Sequence, residues 1–134
     1  MSLVQIQSAL EKKLAAMVPS IDIAYENESY TPTVGVPYIR VNFMPNETKD
    51  ITISADVREF YGLFQIMLCY PGGDGRGNAQ AKADAIDLEF KPVQRLTEGL
   101  TQIELIESVS VAGGFNDGDR WVVPVTVPWT AFTN

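Results

Sequence analysis

The stretch FYGLFQIMLCYPGGDGRGNAQAKADAID (60–87) decides the fold. Its first part, Phe60 to Tyr70, is apolar almost without a break, Gln65 being the polar exception. An apolar run this long, bounded by turn residues, predicts a strand buried on both faces, and so one near the middle of a sheet. Pro71 and the glycines at 72, 73, 75 and 77 end it with a tight turn. Beyond the turn, Ala79, Ala83, Ile86 and Phe90 fall on one narrow stripe, with Gln80, Asp84 and Asp87 opposite. That spacing predicts a helix with Asn78 as its N-cap, closed by Pro92.

Working outward, Leu3, Ile6, Leu10, Leu14 and Met17 recur at three- and four-residue steps and predict a first helix, which Pro19 bars from continuing. Ser2 and Gln5 have the spacing of a capping box. Residues 22–33 read as a polar and aromatic loop. Ile39, Val41 and Phe43 alternate with Tyr38, Arg40 and Asn42, the pattern of a half-buried strand that Pro45-Asn46 breaks. Ile51 to Ile53 is a further short strand signal, followed by a charged connection. Ile103, Leu105, Val109 and Val111 share one parity, with Ile106-Glu107 the single breach, as a bulge would give. After the turn GGFNDG (113–118), Trp121, Val123, Val125, Val127 and Trp129 face one way; Val122, Pro124, Thr126 and Pro128 face the other. The two prolines, four apart, remove two donors from one side of that strand, which predicts an edge strand or one bulged on that side. Together these elements predict one α+β domain over residues 1–134, with a mainly antiparallel, mixed β-sheet and two helices packed on one face.

Composition narrows the function. At 134 residues, with 46% hydrophobic and 20% charged side chains, the chain suits one globular domain with a real core. No apolar run reaches the ~20 residues of a membrane-spanning helix, and no secretory signal precedes the first helix. Seventeen acids against ten scattered bases argue against tight binding of nucleic acid, which needs clustered Lys and Arg. Histidine is absent, which removes the commonest general base and the commonest transition-metal ligand together. The lone Cys69 excludes an internal disulfide and, lying in the apolar run without a basic neighbour, reads as an inert buried thiol. No catalytic residue, metal ligand or cofactor site is expected. Carboxylate pairs such as Glu26/Glu28, Asp84/Asp87 and Asp117/Asp119 sit where acids are simply solvated, and both tryptophans share the core parity.

The glycine turn invites comparison with a phosphate loop, in which backbone N–H groups and a helix N-terminus cradle the anion. The Walker pattern requires a lysine and a hydroxyl after its last glycine, and here Gly77 is followed by Asn-Ala-Gln. Asp74 would repel a phosphate, and the dinucleotide pattern fails as well. Calcium is no better served, since Asp74 and Asn78 fall short of an EF-hand. Glycines that permit a sharp strand-to-helix turn are the simpler reading.

Three blocks carry a resemblance to a known family: VPYIRVNFMPNET (36–48), REFYGLFQIMLCYPGGDGRGNAQAKADAIDLEFKP (58–92) and DRWVVPVTVPWTAF (119–132). In these the chain resembles the small phage and prophage tail-terminator-like proteins, a bacteriophage domain formerly of unknown function that is similar to the minor tail protein U. The likeness spans most of the chain in the same block order. It implies a structural, non-enzymatic virion protein, assembled in the bacterial host cytoplasm. It also implies a homo-oligomeric ring, commonly a hexamer, that caps the tail tube and docks to the head connector. The implied partners are other copies of the chain, the tail tube protein and the head-completion protein, with DNA only passing through the lumen. Surplus acids would line that lumen and prevent trapping. Contacts are expected from the polar loops at 44–59 and 112–119, with Arg58, Glu59, Phe60, Arg76 and Arg120 as interface candidates. The alternatives are another tail tube or head–tail connector subunit, or a small phosphate- or nucleotide-binding protein using the Gly72–Gly77 turn.

Overall fold

A computed structural model describes residues 2–46, 49–50, 58–73, 75–98, 101–105 and 107–133. Helix α1 (Ser2–Met17) and the short strand β1 (Asp22–Ala24) lead into β2 (Tyr38–Pro45) and β3 (Lys49–Asp50). The long β4 (Arg58–Pro71) then runs through the glycine turn into α2 (Gly77–Glu89). Strands β5 (Gln94–Glu98), β6 (Thr101–Leu105), β7 (Ser110–Val111) and β8 (Phe115–Asp117) precede the second long strand, β9 (Arg120–Thr133). The fold is α+β, with a mixed sheet in the order β1-β2-β4-β9-β6-β5; β3 extends along β4, and β7 and β8 along β9. Only the β1–β2 pair is parallel among the described ladders.

The sheet is organised around β4 and β9, which pair antiparallel along their whole length, from Arg58 opposite Thr133 to Pro71 opposite Arg120. With β2 on its other side, β4 is interior, as its apolar run predicts. Its even positions Phe60, Phe64, Ile66 and Leu68 are buried with Ile39 and Val41 of β2 and Val123, Val125, Val127, Trp129 and Ala131 of β9. Ile6, Leu10 and Leu14 of α1 and Ala79, Ala83 and Ile86 of α2, with Phe90 just past it, close the same cluster. Both helices therefore lie on one face. Each fully buried large side chain contributes about 1.5–3 kcal/mol, so this layer supplies most of the stability.

Three expectations need correction. The strand β9 is not an edge, because β6, β7 and β8 pair along the side away from β4. The prolines instead sit in the gaps of that broken ladder. Pro124 lies between the partners of β7 and β8, and Pro128 between those of β6 and β7. Ala112 N donates to the Pro124 carbonyl, which sets the backbone polar groups of that proline on the interrupted side. Second, β4 is not buried on both faces: Leu63, at an odd position, is 41% exposed. Third, α2 starts one residue before Asn78, with Arg76 at the N-cap position and no side chain capping it. The Gln5 side-chain oxygen accepts the hydroxyl of the fully buried Thr101; the capping box expected with Ser2 rests on a side chain outside those described. The strand signal at Ile51–Ile53 lies outside the described residues, as do Asp74 and Ile106.

Candidate assembly surface

The face of the sheet opposite the helices carries the odd positions of β4 and the even positions of β2 and β9. The registers bring these into rows across the strands. At one end Phe115, Val122, Cys69 and Tyr38 stand side by side. Next come Pro124, Met67 and Arg40, then Ser110, Thr126, Gln65 and Asn42, then Pro128, Leu63 and Met44. No helix side chain belongs to the small cluster on this face, which consists of Tyr38, Cys69 and Val122 with Ala24, Tyr30 and Met67 against it.

Tyr38, Cys69 and Val122 of the first row are buried, with the chain's own loop over Tyr38, while Phe115 is 44% exposed; Arg120 is what holds that loop. Its guanidinium donates to the backbone oxygens of Thr33, at 2.7 Å, and Val36, and lies 5.1 Å from the centre of the Tyr38 ring. Tyr30 stacks on Tyr38 at 5.1 Å. Arg40 donates to the Tyr38 hydroxyl, at 3.1 Å. Burial pushes the Cys69 thiol up, so it stays protonated and unreactive at neutral pH. The remaining rows are open. Met44 and Leu63 are exposed, and Met67, Pro124 and Pro128 are half-buried. Arg40 is the charged residue of these rows. Beyond Leu63, a depression lined by Tyr61, Leu63, Pro128 and Thr130 is flanked by Glu59 and Glu107.

The five residues singled out in the sequence are thus dispersed. Arg58 opens β4, paired to Asp50 and Thr133. Glu59 sits at the acidic end of the open face. Phe60, 3% exposed, packs in the core beneath the helices. Arg76 is exposed at the start of α2, while Arg120, 6% exposed, is committed to the loop it clamps. The open rows themselves were not singled out. Their signal is present in the apolar odd positions Tyr61, Leu63 and Met67, which an unbroken hydrophobic run hides.

The glycine turn is a structural joint. Gly72 N donates to the Asp119 carbonyl at 2.7 Å, and a Cβ on Gly72 would come within 2.8 Å of that oxygen. Gly73 and Gly75 adopt φ of +88° and +79°, which side chains other than glycine's disfavour. Among the described residues no cluster of His, Cys, Asp and Glu is arranged to hold a metal ion, and no helix is long and apolar enough to cross a membrane.

The profile of a family described as phage tail terminator protein matches residues 5–129. A solved structure superposes with a TM-score of 0.79 at 27% identity, over 98% of this chain and 96% of the other. No curated protein matches the sequence.

Proposed function

Since the chain belongs to the phage tail terminator family, a family of structural proteins of the phage tail, we propose that it ends tail growth by closing into a ring on the head-proximal end of the tail tube. The family match over nearly the whole chain carries this reading. A second observation supports it: an open sheet face with exposed apolar side chains, on a chain whose core is otherwise complete, suits a protein that works by contact. We read residues 1–134 as one tail-terminator-like domain.

In a closed ring each subunit uses two different faces, so one surface of this chain meets a different surface of the next copy. The ring, a hexamer in this reading, meets the tail tube on one side and the head-completion protein on the other. Among the contact candidates whose side chains are described, Arg76 is exposed and Glu59 half-buried. DNA passes through the lumen, where the excess of acids over bases discourages adhesion. No chemical step is required of the chain, and assembly takes place in the host cytoplasm.

The test is genetic and visual. A phage lacking this chain should make tails of uncontrolled, excessive length, and supplying the chain in trans should restore uniform length in electron micrographs. Absence of tails would instead assign it to the tube, and tails of normal length would defeat the reading.

A further inference from the structure

We propose that the open sheet face receives the outer face of α2 from a second copy of the chain, in a head-to-tail contact. The proposal rests on the ring reading above and names the surfaces that ring would use.

The two surfaces carry matching sequences of charge and apolar character. Along the sheet face, Arg40 comes first, then the exposed Met44 and Leu63 with Pro128 beside them, then Glu59 with Glu107 near it. Along α2, Asp84 comes first and Leu88 one turn later on the same side of the helix, and Lys91 follows just past the helix end. All three are exposed, and Leu88 is 74% so, an unusual waste of a leucine on a helix whose other large apolar side chain is fully buried. Laid against the sheet, this order sets Asp84 toward Arg40, Leu88 toward Met44 and Leu63, and Lys91 toward Glu59 and Glu107.

Arg40 and Met44 lie about 13 Å apart along their strand, against about 6 Å between Asp84 and Leu88 along the helix. With Leu88 set on Met44 and Leu63, the pairing therefore requires the long Arg40 side chain to lean along the sheet toward Asp84. Gly77 and Ala81, on the same side of α2 as Asp84 and Leu88 and both exposed, leave that flank low enough for a sheet to approach. Within one chain the contact is impossible. The helices cover the face of the sheet opposite Leu63, so the open face can be met only by another molecule. Two unlike surfaces joined in this way propagate from copy to copy, as a ring requires.

Disulfide trapping in assembled tails tests the arrangement. A chain carrying both Leu63→Cys and Leu88→Cys should, on mild oxidation, give a ladder of covalent multimers. Each single variant should give none, and the buried Cys69 should stay out of the reaction. A dimer formed by Leu63→Cys alone would mean that two open faces meet each other, and would overturn the proposal. So would the absence of a ladder in tails of normal length, an outcome that leaves the terminator reading intact. Charge reversal gives an independent reading. Arg40→Glu should weaken self-association on the order of 10-fold or more, with overlong tails, and Asp84→Lys in the same chain should recover both. Full assembly of Arg40→Glu, or no recovery in the double variant, would overturn the proposed pairing. If instead the deletion phage makes no tails at all, the ring reading itself has failed, and the trapping result is not needed to say so.

Discussion

At the scale of single residues, two positions hold more than their own place. Gly62 leaves the space in which the Trp129 indole lies flat against Phe43, with ring centres 5.2 Å apart. A Cβ there would come within 2.3 Å of the Met44 carbonyl and 2.9 Å of the indole. Neither the strand backbone nor a ring held on both sides can yield cheaply. We expect Gly62→Ala to destabilise the fold by about 1–3 kcal/mol, measured by chemical denaturation. Arg120 is the second case. Its two bonds to the backbone oxygens of Thr33 and Val36 hold the loop over Tyr38 together with the Tyr30 stack and the bond the Tyr30 hydroxyl donates to Asp22. Arg120→Met should keep the sheet but free the loop, at a loss of about 2 kcal/mol. Limited proteolysis should then cut between residues 30 and 37 in the variant well before the parent chain; equal cutting would show that the ring stack alone suffices.

At the scale of elements, α1 illustrates how position sets the behaviour of an ordinary acid. Glu11 projects from α1 among Gln7, Tyr25, Glu26 and Glu28. Burial raises its carboxyl pKa, and the charges of Glu26 and Glu28 raise it further, against the Gln7 side chain that donates to it at 3.1 Å. A raised carboxylate favours the protonated form in the folded state. Its contribution to stability is therefore present below the ordinary carboxylate range and is lost as pH rises through the shifted value. Glu11→Gln should consequently stabilise the protein at neutral pH, by less than about 1 kcal/mol at so accessible a site, and the gain should vanish in acid. Thermal melts at the two pH values check the sign. The next residue of α1 is tied differently: Lys12 pairs with Glu98 of β5 at 2.8 Å and holds that half-buried carboxyl low.

At the scale of the whole molecule, one continuous core joins α1, α2, β2, β4, β6 and β9. No element can leave it without exposing apolar surface on several others, so unfolding should be a single cooperative transition. Tryptophan fluorescence, which reports on Trp121 and Trp129 in β9, should coincide with far-ultraviolet circular dichroism across a denaturant series. Two separated transitions would mean that the helical layer detaches first.

Much of this was legible in the residues. The periodicity of Leu3 to Met17, the stripe from Ala79 to Phe90 and the alternation from Trp121 to Trp129 fixed both helices and one of the two longest strands, because burial of one face imposes a period that each element must obey. The absence of histidine and the lone, unassisted cysteine narrowed the chemistry before any coordinates, since side-chain inventory is a property of the sequence alone. The tertiary structure decided the rest. Strands of two or three residues such as β1, β7 and β8 carry no period of their own and exist because a neighbour offers a ladder. The prolines of β9 gave the side of the interruption, yet only the strands beyond it revealed an interior position. The apolar run of β4 could not say which of its faces would go uncovered, because hydrophobicity records a preference for contact and is silent on whether that contact lies within the chain or in another copy.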